Sequence, residues 1–268
     1  MIPFTQISQK GEALHFAHAN AYPLSCYRSF LRPFTEKYAV CGMHARPLWE
    51  ESKSQNFNDW EEFGQDLIHC FEEQQLSNVI GVGHSMGAIY SLIAANKRPE
   101  LFKKLILIDP VIIPQKAYKF TQFPYFIKKR MMPMVKIALR RKDSWDTKEE
   151  ARAYFESKRF IQKFHPEAFE DFIEGGLKEK NGKFTLAFPK KWEGKIYSSV
   201  IDVWSILKRP PCPLIIIRGD NSNVISSEIW EKIKRNTPNS TFINMTNVGH
   251  LIPMEKPKEL AHIMLSQL

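Results

Sequence analysis

A serine flanked by glycines sits in Gly83-His84-Ser85-Met86-Gly87, and a hydroxyl so placed is a candidate nucleophile. The G-x-S-x-G pattern gains weight from its neighbours: the apolar run Val79–Val82 precedes it and the apolar stretch Ala88–Asn96 follows. A strand turning that sharply into a helix strains its central residue, and glycines on either side let the two segments approach. Ser85 Oγ would then stand at a helix N-terminus, where partial positive charge and the free N–H of Met86 favour an oxyanion. This arrangement suits acyl transfer through a covalent intermediate, provided a base within hydrogen-bond reach takes the serine proton. The sequence holds no G-x-x-x-x-G-K-[ST], no G-x-G-x-x-G and no His/Cys cluster at metal spacing, so no cofactor and no metal is expected.

The elements that must hold these groups follow from hydrophobic periodicity. Short apolar runs alternate with helix-period segments, the pattern of βαβ units around a mostly parallel sheet. The pattern predicts strands at Ala13–Ala17, Ala39–Met43, Val79–Gly83, Leu105–Asp109, Pro213–Arg218 and Thr241–Met245. It predicts helices at Cys26–Tyr38, Asp59–Gln75, Ala88–Asn96, Ser226–Arg235 and Pro257–Gln267. The clearest is Asp59–Gln75, where Trp60, Phe63, Leu67, Ile68 and Phe71 recur at three- and four-residue steps. Over residues 111–210 the alternation stops; helices are expected near Phe126–Arg141 and Lys148–Phe164, and a hairpin around Lys180–Phe188. One α/β domain is thus interrupted by a long insert.

With the serine turn, the alternation and the insert in view, the chain resembles the α/β-hydrolase superfamily over nearly its full length. The resemblance implies a mostly parallel central sheet flanked by helices, with a largely helical cap inserted after the strand that follows the nucleophile turn. The core would be residues 1–110 and 211–268, and the cap, or lid, residues 111–210. Ser85 matches the family's nucleophile. His250 matches its G-H-x-x-x-x-E-x-P ending, here Gly249-His250-Leu251-Ile252-Pro253-Met254-Glu255-Lys256-Pro257, and would be the base.

The acid departs from the family pattern. In Arg218-Gly219-Asp220-Asn221-Ser222-Asn223-Val224, Ser222 stands where an aspartate is usual, and Asp220 follows directly after the glycine, early in the turn. Some branches take their acid from the end of the strand after the nucleophile helix, where this chain has Asp109 before Pro110. An aspartate before proline also makes a good turn. Asp109 is the preferred acid, Asp220 the alternative, and Asn223 a neutral third choice that would stabilise imidazolium poorly. In His18-Ala19-Asn20, Asn20 matches the second oxyanion N–H donor beside Met86, with Ala19 replacing the usual glycine. The family's D-x-R-G-x-G segment is altered to Gly42–Trp49, and Leu48 and Trp49 are placed near the pocket entrance.

Composition bounds the rest. The 268 residues are 43% hydrophobic, 25% charged and 12% aromatic, which excludes a disordered or collagen-like chain. Apolar runs such as Leu105–Ile108 are far too short to span a membrane, and residues 1–12 show no secretory pattern. Four widely spaced cysteines without a C-x-x-C pair read as reduced thiols in a cytoplasmic protein. The net charge of +9 is concentrated: residues 116–210 hold 22 Lys and Arg against 12 Asp and Glu, and the rest 16 against 17. A basic cap with an apolar underside fits a hydrophobic substrate and transient contact with an anionic lipid surface, whereas no nucleic-acid motif accompanies the charge. The reading is a serine hydrolase of small-molecule carboxylic esters with an apolar portion. Thioester, lactone or carbon–carbon hydrolysis, or a non-catalytic ligand-binding role on the same fold, are the alternatives.

Overall fold

The computed structural model describes residues 1–268. Its core strands are β1 (Phe4–Gln6), β2 (Glu12–Ala17), β3 (Tyr38–Met43), β4 (Val79–His84) and β5 (Phe102–Ile108). Next, β6 (Ser144–Trp145), β7 (Leu177–Lys180) and β8 (Lys183–Leu186) make a separate small sheet, before β9 (Leu214–Gly219) and β10 (Thr241–Met245) rejoin the first. The seven-stranded sheet has the order β1-β3-β2-β4-β5-β9-β10. Only β1 runs antiparallel to its neighbour.

Side-chain alternation sorts the central strands onto two cores. Leu105, Leu107, Leu214 and Ile216 pack on one face with the helices Glu61–Glu73 and Met86–Lys97. Ile106, Ile108, Ile215 and Ile217 pack on the other, with the Leu24–Phe34 segment and the helix Pro257–Leu265. Burial on both faces explains why these strands read as continuous apolar runs rather than alternating ones. The carboxyl ends of β2, β4, β5 and β9 align, because Ala17 pairs with Gly83, His84 with Ile108 and Ile108 with Ile217. Open parallel sheets bind ligands at such an edge.

The predicted helix at Cys26–Tyr38 is instead a broken run: 3₁₀ over Leu24–Tyr27, α over Arg28–Leu31 and 3₁₀ over Arg32–Phe34. Pro33 lacks an amide hydrogen and cannot continue an α-helical ladder. Pro133 likewise splits the expected Phe126–Arg141 helix into Tyr125–Met131 and Pro133–Arg140, with Met132 held extended before it. The expected Lys148–Phe164 helix stops at Glu156, and a single 3₁₀ turn follows at Ile161–Lys163. The hairpin is real but begins earlier, at Leu177, and turns on Asn181 and Gly182, both at positive φ.

Two longer helices of the insert, Pro166–Gly176 and Lys190–Tyr197, lie where the sequence predicts none, as do the short helices Tyr118–Thr121 and Trp204–Lys208. The first had a signal, a proline at its first position and Ala168, Phe172 and Ile173 on one face. Residues 111–210 do not stand apart from the sheet domain. Phe155, Phe172 and Ile173 join the core formed with Leu24 and Cys26, while Trp192 and Ile196 join the other.

Candidate active site

The turn after β4 is dictated by close packing. A Cβ on Gly87 would lie 1.9 Å from the Ala17 carbonyl oxygen, and one on Gly83 would lie 2.5 Å from the Ala88 backbone. With both positions bare, the helix Met86–Lys97 starts directly against β2 and β4. Ser85 takes up the change of direction at φ 56, ψ −113, a strained conformation for a side chain-bearing residue. Its N–H donates to the Ile108 carbonyl at 2.9 Å, tying the turn to the end of β5.

His250 comes to this hydroxyl from beyond β10. Its Nε2 lies 2.9 Å from Ser85 Oγ, and its Nδ1 lies 2.6 Å from Asp109 Oδ2. With the Asp109 oxygen as acceptor, this contact requires the proton on Nδ1, which leaves Nε2 as acceptor for the serine hydroxyl. Asp109 is fully buried at φ 41, just past β5. Its Oδ1 accepts from the Gly219 N–H at 3.1 Å, and its Oδ2 accepts from Ser222 Oγ at 2.5 Å as well as from the imidazole. Ser222, which stands where the resemblance expects an aspartate, thus donates to the Asp109 carboxylate. No sequence signal pointed to this.

Asp220 is not brought to the imidazole. Its Oδ1 accepts from the Val248 N–H at 3.3 Å. The backbone N–H groups of Asn247, Val248 and Asn221 hold its carboxyl below the usual range. It anchors the loop on which His250 rides. Glu255 anchors the same loop, with Oε2 accepting from the Gly249 N–H at 2.9 Å. This gives a physical reason for the spacing between glycine-histidine and glutamate in the sequence. Asn223 lines the cavity without bonding to His250.

Two buried histidines, His18 and His84, fix the surrounding loops. His18 Nδ1–H donates to the Ala19 carbonyl at 2.9 Å, and Nε2 accepts from the Ala45 N–H at 3.1 Å. The Ala19 carbonyl and the Asn20 N–H share one planar trans peptide, so holding the first aims the second. The Asn20 N–H donates to no group of the protein, and Met86, first in its helix, has no intrahelical acceptor for its own. Both residues line the same cavity as Ser85 and His250.

His84 turns away from the serine and donates from Nε2 to the His250 carbonyl at 3.0 Å. Its Nδ1 therefore accepts from Tyr27 Oη, 2.9 Å away, and that oxygen accepts from the Ala19 N–H at 3.2 Å. One buried chain of bonds thus joins the Asn20 turn to the His250 loop. Burial, followed by the nearby His250, lowers the His84 pKa to about 3, so its ring stays neutral. Burial likewise lowers His15 to about 3 and His18 to about 4.

The cavity over Ser85 has a volume of about 1080 Å³. Trp60, Val111, Ile113, Phe120, Met134 and Val200 supply apolar lining. Leu48 and Trp49 do not line it: Trp49 Nε1 donates to the His44 carbonyl at 2.6 Å, outside the cavity. The neighbouring Arg46 is clamped between Glu62 and Asp66, which makes this altered segment a brace. No group of three or more His, Cys, Asp or Glu side chains comes together at metal-binding distance.

Comparison with known proteins agrees with this architecture. Over 261 residues the chain is 24% identical to YugF, an uncharacterized hydrolase of Bacillus subtilis, covering 91% of this chain and 89% of that one. Over 191 residues it is 24% identical to the sn-1-specific diacylglycerol lipase ABHD11 of Xenopus laevis, covering 71% of this chain and 58% of that one. The crystal structure of E-2-(acetamidomethylene)succinate hydrolase superposes with a TM-score of 0.81, covering 98% of this chain and 93% of that one, at 15% identity. At that identity the likeness speaks for the fold alone. The model of the alpha/beta hydrolase family matches residues 26–263, which hold the serine turn and every strand of the seven-stranded sheet except β1 and β2. The chain belongs to the alpha/beta hydrolase family.

Proposed function

We propose that the chain is a serine hydrolase cleaving carboxylic esters with an apolar portion, through a Ser85–His250–Asp109 triad. The observation that carries this reading is the unbroken line of hydrogen bonds from Ser85 Oγ through the imidazole to Asp109. His250 Nε2 takes the serine proton as Oγ attacks the ester carbonyl. The N–H groups of Asn20 and Met86 receive the oxyanion. His250 then hands its proton to the leaving alcohol, and water cleaves the acyl-enzyme through the same hole. Asp109 holds the proton-bearing Nδ1 in place and stabilises the imidazolium. The diacylglycerol lipase among the relatives is in keeping with an apolar acyl chain.

Residues 111–210 serve in this reading as the cap over the site, and the stretch 110–142 as a face for transient contact with anionic lipid. That stretch holds nine Lys and Arg and no Asp or Glu. It also carries Phe120, Phe123, Phe126, Met131, Met134 and Ile137, six of the nine large hydrophobic residues that the chain exposes. Basic charge beside exposed apolar side chains is the combination that binds bilayer interfaces. No helix is long and apolar enough to cross a membrane. The four unpaired cysteines favour a reducing, cytoplasmic setting.

A fluorophosphonate probe tests the reading. The folded protein becomes labelled at Ser85, and Ser85→Ala abolishes the label. Folded native protein that resists the probe contradicts the proposal.

A further inference from the structure

The cavity over Ser85 carries more positive than negative side chains. Arg141, Lys158, Arg159 and Lys163 line it, against Glu193 and Glu255. Both carboxylates are engaged within the protein. Glu193, 1% exposed, lies 2.9 Å from the Arg141 guanidinium, and Glu255 holds the Gly249 N–H. The remaining three cations have no such partner, because the acids near them in sequence are bound elsewhere. Arg152 takes Glu156 and Glu170, while Arg32 and Lys258 take Glu167. The Lys158 ammonium stands instead 3.8 Å over the Tyr154 ring.

These cations sit on a segment fastened beside the reacting groups. The His165 N–H, just beyond them, donates to the Met254 carbonyl at 2.8 Å, on the stretch that follows His250. The Phe164 ring is 6.5 Å from Tyr22, which lines the cavity next to the Asn20 turn. Apolar lining such as Val111, Ile113 and Val200 comes from other parts of the chain. Lys158 is half-buried and Arg159 and Lys163 are exposed, so the three stand where the cavity opens to solvent, and their uncompensated charge beside low-dielectric walls attracts an entering anion.

We infer that the cavity takes esters carrying an anionic group, a carboxylate or a phosphate, which Lys158, Arg159 and Lys163 hold while the apolar portion occupies the remaining lining. This deepens the ester-hydrolase reading and rests on it for the chemistry, though not for the binding.

The first experiment compares kcat/KM of the full chain on a monoacylglycerol, its 3-phosphate and an acyl ester with a terminal carboxylate, all of one chain length. At low salt at least one anionic ester is favoured over the neutral one by ~10-fold. The ratio shrinks as salt rises. It collapses in the Lys158→Gln/Arg159→Gln/Lys163→Gln variant and persists when Lys178, Lys180 and Lys208, outside the cavity, are changed to Gln instead. The anion with the larger ratio identifies the group. A ratio of one for both anions, or a ratio that the cavity variant leaves intact, overturns the inference.

A second experiment is independent of turnover. Dodecyl phosphate, dodecanoate and dodecanol are titrated into Ser85→Ala, below micelle-forming concentrations and followed by tryptophan fluorescence. Tighter, salt-sensitive binding of an anion, lost with the three cations, upholds the site even if the native chain cleaves no ester. Equal affinity for all three amphiphiles overturns it even if ester turnover is found.

Discussion

Asp109 receives three hydrogen bonds at full burial, whereas Asp220 braces a loop from the protein's edge. Changing Asp109 to Asn turns one acceptor into a donor and favours the wrong imidazole tautomer. The expected loss in kcat on a p-nitrophenyl ester is about 10⁴-fold, with the melting curve retained. Asp220→Asn keeps an acceptor for the Val248 N–H and should change kcat by less than ~10-fold, because it touches neither proton transfer nor the carbonyl. If the two variants exchange these behaviours, the acid is misassigned. Ser85 and His250 were legible in sequence because the glycines and the glutamate around them spell out backbone requirements. Asp109 was legible only as a preference, since an aspartate before proline has other uses. The Ser222 hydroxyl was not legible at all: its partner lies 113 residues earlier, and only the pairing of β5 with β9 brings the two together.

At the level of elements, the strand–turn–helix unit around Ser85 depends on the absence of side chains where β2, β4 and the helix Met86–Lys97 touch. Gly87→Ala forces a methyl into the Ala17 carbonyl, so the packed backbone must move. A loss of about 3 kcal/mol or more is expected from such overpacking. Urea unfolding measures it, and an unchanged midpoint would show that the contact is not tight. The core strands were readable because their apolar runs are short and bounded; the broken helices at Pro33 and Pro133 were over-extended because periodicity persisted across a proline. The stretch 110–142 carries its own prediction. The chain should sediment with phosphatidylcholine vesicles containing phosphatidylglycerol but not with pure phosphatidylcholine. Phe123→Ser/Phe126→Ser should weaken that binding several-fold by removing buried apolar area. Equal binding to both vesicle types contradicts an electrostatic contact.

Across the whole molecule, His15, His18 and His84 stay neutral because burial, first among the causes, lowers their pKa values to about 3, 4 and 3. In the unfolded chain a histidine titrates near its ordinary value of about 6.5. Between those limits the unfolded state binds more protons, so stability rises with pH. The contribution is complete above the unfolded value and is lost as pH falls. Each histidine adds a slope of about 1.4 kcal/mol per pH unit, or about 4 for the three together. Unfolding free energies from urea melts across this window should rise with pH, and His84→Gln should lessen the slope by about 1.4 kcal/mol per pH unit. A slope unaffected by His84→Gln would mean that this ring is not buried neutral. The two cores around one sheet, the aligned strand ends and the network through His84 all serve to hold the serine and the imidazole together. The claim that this pair performs covalent catalysis is tested most directly by mixing the protein with a p-nitrophenyl ester and quenching in acid within the first turnover. One acyl group is expected on the peptide containing Ser85, formed with a matching burst of p-nitrophenol and absent from Ser85→Ala. An ester hydrolysed without a burst, and with unmodified Ser85 even when deacylation is slowed, would contradict it.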